Sequence, residues 1–179
     1  MQSSTRFFIV PGLGNSGPSH WQTLFERQYP DFTRVQQRSW DAPDRAEWVA
    51  TLEQALAGED LNQVVLIAHS LGCATVAHWA NTYGHRIKGA LLVAPVDVET
   101  DAFATLAPTG FAPLPLLRLP FLSKVVTSTT DPWVSAARAG QFAEAWGSEL
   151  VVIGDAGHIN VSSGHGDWPE GLALLRDWA

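Results

Sequence analysis

The chain has 179 residues, 46% of them hydrophobic and 16% charged, with a formal net charge of −7 and eight tryptophans. That length suits one domain spanning 1–179, and a charged fraction below the usual ~25% leaves little room for solvated linker or disordered tail. With 11 Lys+Arg against 18 Asp+Glu, the chain lacks the basic footprint of a nucleic-acid binder, so no nucleic-acid partner is expected.

In chain order, Phe7–Val10 reads as a short buried strand ended by Pro11-Gly12-Leu13-Gly14. It is too short for a signal-peptide core, and no apolar run approaches the ~18 residues of a membrane span. A cytoplasmic protein with no membrane partner is expected. A helix follows over His20–Gln28, capped by Ser19 or a neighbour and stopped by Pro30; Thr33–Ser39 alternates as a more exposed strand. Glu47–Ala57 has the apolar spacing of a helix, at Trp48, Leu52, Ala55 and Leu56. Val64–Ala68 is wholly apolar, the pattern of a strand buried on both faces. After it come an Ala-rich helix, Leu71–Tyr83, and three more strands at Gly89–Val93, Lys124–Ser128 and Leu150–Ile153. Ser135–Trp146 is a helix between the last two strands. Trp168–Trp178 closes the chain as a helix, with Asp167 and Glu170 spaced for a capping box. Strands alternating with helices predict βαβ units and a mostly parallel sheet covered on both sides.

Residues 96–122 break this rhythm. Pro108, Pro113, Pro115 and Pro120 forbid a continuous helix, yet Phe103, Phe111, Leu114 and Phe121 argue against a solvated loop. Two placements fit: a flap over a crevice at the carboxyl ends of the strands, or an irregular segment packed on the edge of the sheet.

The most informative stretch is Val64-Val65-Leu66-Ile67-Ala68-His69-Ser70-Leu71-Gly72. A buried strand enters a small-x-Ser-x-small turn and a helix starts at once. To expose its hydroxyl above the sheet, such a serine must sit in a strained strand-to-helix turn. The backbones there approach so closely that the positions two before and two after it carry almost no side chain. Ala68 and Gly72 hold those positions. The Leu71 N–H, at the start of the helix, is placed to face an oxyanion, and a glycine loop after the first strand would offer Leu13 N–H as a second donor.

A serine nucleophile needs a base, and the base needs an orienting carboxylate. Asp131 follows the strand ending at Ser128, and His158 follows the strand ending at Ile153, in the acid-then-histidine order of this arrangement. Asp97 is an alternative acid and His165 an alternative base. Asp155 lies too close to His158 in sequence to reach the far side of its ring and is assigned to the turn. His69 is assigned a structural role, and His78 and His85 surface or packing roles. The lone Cys73 excludes a disulfide framework and a Cys-based zinc site, and no metal or cofactor is implied.

With these residues assigned, the chain resembles the small α/β-hydrolases related to retinoblastoma-binding protein nine, also grouped as YdeN-like serine hydrolases. The resemblance rests on Pro11-Gly12-x-Gly14 followed by His20-Trp21, on His69-Ser70-Leu71-Gly72-Cys73, and on Leu119-Pro120-Phe121-x-Ser123 leading to Asp131-Pro132. Gly157-His158-Ile159-Asn160 and Trp168-Pro169-x-Gly171 complete it. It implies a compact α/β-hydrolase fold of about six mostly parallel strands, order 2-1-3-4-5-6, and the stretch between the fourth and fifth strands is too short to hold a helical cap domain. Retinoblastoma binding is associated with a Leu-x-Cys-x-Glu peptide; here Leu71-Gly72-Cys73-Ala74-Thr75 lacks the Glu, and no such partner is expected.

The expected function is hydrolysis of a small ester, amide or thioester by Ser70, His158 and Asp131. An acyltransferase would use the same residues, and a non-catalytic interaction module could keep the fold. The tryptophans divide accordingly. Trp48, Trp79, Trp146 and Trp178 are expected in packing, and Trp21 and Trp133 as aromatic walls for a small-molecule substrate.

Overall fold

The computed structural model describes residues 5–178. The apolar runs pair into one six-stranded sheet with every neighbouring pair parallel, in the order β2-β1-β3-β4-β5-β6. The strands are β1 (Arg6–Val10), β2 (Phe32–Arg34), β3 (Val64–His69), β4 (Gly89–Val93), β5 (Ser123–Thr127) and β6 (Glu149–Val152). Between and after them lie α1 (Trp21–Gln28), α2 (Arg45–Ala55), α3 (Leu71–Tyr83), α4 (Asp101–Ala104), α5 (Ala136–Trp146) and α6 (Pro169–Ala173).

Crossover handedness decides which face each helix covers. A right-handed connection that steps one way along the sheet lies on one face, and one that steps back lies on the other. From β1 to β2 the chain steps outward, and α1 packs on one face with the C-terminal turns. From β2 onward every step runs the opposite way, so α2, α3 and α5 share the second face. Alternation along the strands follows: Phe8, Val10, Leu66, Ala68, Leu92 and Val125 point into the α2/α3/α5 core. Phe7, Ile9, Val65, Ile67, Leu91 and Val126 point into the α1 core.

The connection from β4 to β5 obeys the same rule, and this settles the placement of the proline-rich stretch. Val96, Val98, Phe103, Phe111, Leu114, Leu119 and Phe121 are all buried in the α2/α3/α5 core. Its carbonyls are taken up by that layer: Phe111 accepts from His78 Nε2 at 2.8 Å, and Pro115 from Trp146 Nε1 at 2.8 Å. The segment replaces a crossover helix, which its prolines forbid; four residues of α4 are its only helix.

Two expected elements are shorter than their patterns suggested. β2 ends at Arg34 rather than Ser39, although Val35 N–H still reaches the Ile9 carbonyl at 2.9 Å. As an edge strand it has a single neighbour to pair with. The closing helix over Trp168–Trp178 is instead α6 plus a 3-10 turn at Arg176–Trp178, and the Asp167/Glu170 capping box does not form. Pro169 occupies the first helical position, with Trp168 as the cap residue. Both flanking indoles lie on bare backbone: a Cβ at Gly171 would stand 2.1 Å from Trp168, and one at Gly89 2.3 Å from Trp178. The chain bends to seat both rings, which a straight helix does not do.

Candidate active site

The site lies at the carboxyl ends of β1 and β3, where the strand order reverses. Ser70 follows β3 with φ 57° and ψ −124°, a conformation that costs a non-glycine residue roughly 1–3 kcal/mol. The turn is tied down: Ser70 N–H donates to Val93 O and Cys73 N–H to Ser70 O, both at 3.0 Å. Close approach fixes the neighbouring residue types. A Cβ on Gly72 would stand 2.1 Å from the Val10 carbonyl oxygen, and one on Gly12 2.8 Å from Ser70 Cβ. Gly12 also lies against Leu71 N, 3.1 Å from its own hypothetical Cβ. The β1 loop and the start of α3 are therefore in contact, with the Leu13 and Leu71 amides on neighbouring backbone.

Ser70, His158 and Asp131 meet. His158 Nε2 lies 2.9 Å from Ser70 Oγ, and Nδ1 lies 2.8 and 3.0 Å from the two Asp131 carboxylate oxygens. The carboxylate is acceptor-only, so Nδ1 carries the proton and Nε2 is free to accept from the serine hydroxyl. The Asp131 side chain is fully buried, the His158 side chain 10% exposed. Trp133 N–H donates to Asp131 Oδ1 at 2.9 Å and holds the carboxylate in place.

The alternative residues are engaged elsewhere. Asp97 is paired with Arg138, Nε to Oδ2 at 3.1 Å, and Arg138 also bonds Glu99. His165 Nδ1 lies 3.3 Å from Ser163 Oγ, and its ring stands edge-on to Trp168. Asp155 accepts from Thr130 Oγ1 at 2.7 Å. His85 bonds Glu53, and His78 is buried under the proline-rich stretch. Burial lowers the His78 pKa.

Trp21 is not a substrate wall. It is fully buried in the α1 core, and its Nε1–H donates to the Ile159 carbonyl at 2.9 Å. As the first residue of α1 its side chain faces the sheet. Trp133 is half-buried, edge-on to Phe103. Like Leu13 and Trp40, it is half-buried and packs against the α2/α3/α5 core.

Three supporting groups escaped the sequence reading. Ser128 Oγ donates to Gly154 O and accepts from Ala156 N–H, and Gly157 N–H donates to Thr130 Oγ1. The end of β5, which leads to Asp131, thus cradles the loop that carries His158. Arg34, at the end of β2, bonds Asn15 Oδ1, Ser16 O, Thr23 Oγ1 and Glu26, bracing the β1 loop from the sheet edge. His20 caps α1 through Nδ1, which accepts Gln22 N–H at 3.2 Å. Burial and the nearby Arg34 charge pull its pKa from 6.5 down to about 4. Period-two alternation was the available signal for His69: it continues the Val65–Ile67 face, toward Trp21 rather than toward solvent.

The sequence profile of the serine hydrolase family matches residues 7–177. A protein of Pectobacterium atrosepticum described as a YdeN-like hydrolase is 34% identical and superposes with a TM-score of 0.85, over 98% of this chain and 90% of that one. The ydeN gene product of B. subtilis, 16% identical, superposes at 0.82 over 98% of each chain. The esterase RhEst1 of Rhodococcus sp. ECU1013, 14% identical, reaches 0.68 over 98% and 90%. A search of curated proteins finds no match. The chain belongs to the serine hydrolase family, on its YdeN-like side. Its six parallel strands carry the α/β-hydrolase order that the resemblance implied. Among the described residues, no helix is long and apolar enough to cross a membrane.

Proposed function

We propose that the protein hydrolyses a small carboxylic ester, amide or thioester through an acyl-enzyme on Ser70. The observation that carries this reading is the continuous hydrogen-bonded line from Ser70 Oγ through His158 to the buried Asp131. Ser70 Oγ attacks the substrate carbonyl carbon while its proton passes to His158 Nε2, and Asp131 stabilises the imidazolium that forms. The carbonyl electron pair moves onto oxygen, opposite the Leu71 and Leu13 amides. As the tetrahedral adduct collapses, the bond to the leaving group breaks, and His158 returns its proton to the departing alcohol, amine or thiol. Water then repeats the sequence in reverse and frees Ser70. The half-buried Trp133, whose backbone N–H bonds Asp131, would contact the acyl or leaving group.

Labelling with a fluorophosphonate tests the nucleophile: wild type should react, and Ser70→Ala should not. Asp131→Asn, which alters the tautomer of His158, should lower kcat by roughly 10⁴. Equal labelling of wild type and Ser70→Ala would sink the reading. A panel of esters, thioesters and peptide amides compared by kcat/KM then sorts the substrate class. Partition of the acyl-enzyme between water and added alcohols or amines separates hydrolysis from acyl transfer.

A further inference from the structure

The backbone that carries His158 is in an unfavourable conformation. Gly157 and Ile159, on either side of it, have φ values of +52° and +47°. A β-branched residue such as Ile159 avoids that left-handed region, so the surrounding structure must hold it there. Part of the restraint is a short turn, Ile159 N–H to Ala156 O at 3.1 Å. The Ile159 side chain is also fully buried in the α1 core.

Two aromatic N–H groups supply the rest. His69 Nε2 lies 2.9 Å from the His158 carbonyl oxygen, and Trp21 Nε1 lies 2.9 Å from the next carbonyl, that of Ile159. A carbonyl only accepts, so His69 must carry its proton on Nε2. The rings also touch: His69 stands edge-on to Trp21, centroids 5.9 Å apart, and lies 4.9 Å from the His158 ring. His69 is the residue immediately before Ser70. The end of β3 therefore positions the nucleophile directly and the base through one side chain.

We propose that His69 and Trp21 are positioning residues of this active site. Their ring N–H groups clamp the successive His158 and Ile159 carbonyls and hold the base in register with Ser70. This rests on the hydrolase reading above. Burial and the neighbouring His158 and His20 keep His69 in its neutral form. No second cation therefore stands beside His158 when it takes the serine proton. A base displaced by about 1 Å can lose on the order of 10² in rate, so the clamp is expected to act on kcat.

The test compares His69→Phe, which keeps a ring but removes the donor, with His69→Gln, whose amide nitrogen can stand near the position of Nε2. For His69→Phe, kcat and the rate of fluorophosphonate labelling should fall by roughly 10- to 100-fold with KM unchanged. His69→Gln should recover most of the loss. Trp21→Phe should likewise lower kcat at unchanged KM. A second readout is the downfield proton resonance of His158 Nδ1–H, which should be sharp in wild type and broadened or shifted in His69→Phe. Wild-type kcat and an unchanged resonance in a folded His69→Phe variant would overturn the clamp. If that variant does not fold, His69→Gln is compared with His69→Asn, whose shorter amide cannot reach the carbonyl; equal kcat values would overturn it. If wild type neither turns over the panel nor labels at Ser70, the hydrolase reading fails instead. The resonance then still decides the clamp: its change in His69→Phe or in His69→Asn upholds it, and its constancy in the folded one of them overturns it.

Discussion

The two faces of the sheet are built differently. The α2/α3/α5 face is the larger and mainly apolar body, in which Trp48, Trp79, Trp146, Phe103, Phe111 and Phe142 are all buried almost completely. Its polar bonds, such as Trp146 to the Pro115 carbonyl, fasten the proline-rich crossover rather than the site. The α1 face is smaller and carries polar groups inside it. His20, His69, Trp21 and Trp168 pack ring against ring beneath the histidine loop. His20 Nε2 is buried with no partner among the described residues. Burying an unpaired polar atom is unfavourable, and on this face it belongs to a ring packed against His69, which bonds the His158 carbonyl. One face supplies stability, and the other holds geometry.

Gly72 belongs to both, because it lets α3 start against β1. Gly72→Val would drive a side chain into the Val10 and Pro11 carbonyl oxygens, which stand 2.1 and 2.8 Å from its Cβ position. Backbone cannot yield as a flexible side chain can. The loss should exceed about 4 kcal/mol, seen as failure to fold or a collapsed urea midpoint. A folded, labelling-competent Gly72→Val would refute the close-packed elbow. Next in size is Trp146→Ala, which empties a site 1% exposed. It should lose about 3–5 kcal/mol in denaturant melts, while the folded enzyme keeps wild-type kcat. A kcat loss there would dissolve the division between the faces.

The acid side of the comparison comes from the buried histidines. The unfolded His20 takes a proton near pH 6.5 and the folded one only near pH 4. Between those values the unfolded chain binds more protons, so stability is fully present above pH 6.5 and drains as pH falls toward 4. The contribution is on the order of 3 kcal/mol. His69 and His78 are shifted the same way and add to it. His20→Asn keeps a side-chain cap on α1 and removes the ionisable ring. Urea melts at pH 7 and pH 4.5 should show a shallower acid loss in the variant. Parallel losses would mean that His20 is not what acid attacks.

Local chemistry was legible in the sequence where it dictated backbone. Val64–His69 running into Ser70 and Gly72 specified the turn, and the alternation of strands and helices specified a parallel sheet, its strand order coming from the family resemblance. Reading failed where a side chain's direction depended on a distant element. Trp21 looked like a wall because it follows the glycine loop, but the first turn of α1 faces the sheet, and its N–H finds a carbonyl 138 residues away. The proline-rich stretch stayed ambiguous for a similar reason. Its composition forbids a continuous helix, but only crossover handedness says which face it must cover. Asp167 and Glu170 carried a local capping signal that lost to the seating of Trp168 and Trp178.

Asp97 gives the finest test, with the smallest change in stability. It follows β4 as Asp131 follows β5, and chain order alone admits either as the acid. Its carboxylate bonds Arg138 at 3.1 Å, on the α5 side, with side chains 15% and 24% exposed. Its backbone N–H reaches the Trp133 carbonyl at 3.1 Å, so it lies one layer outside the residues that touch His158. A partly exposed ion pair is screened, and its loss is offset by the freedom that Arg138 regains. Asp97→Asn should therefore lose no more than about 1 kcal/mol. Because the amide keeps the shape and one acceptor, Trp133 and hence Asp131 should not move, and kcat should stay at the wild-type value. A fall in kcat comparable to that of Asp131→Asn would transfer the acid role to Asp97. A fall in KM or kcat/KM alone would instead mean that the Trp133 carbonyl contact shapes the rim of the site.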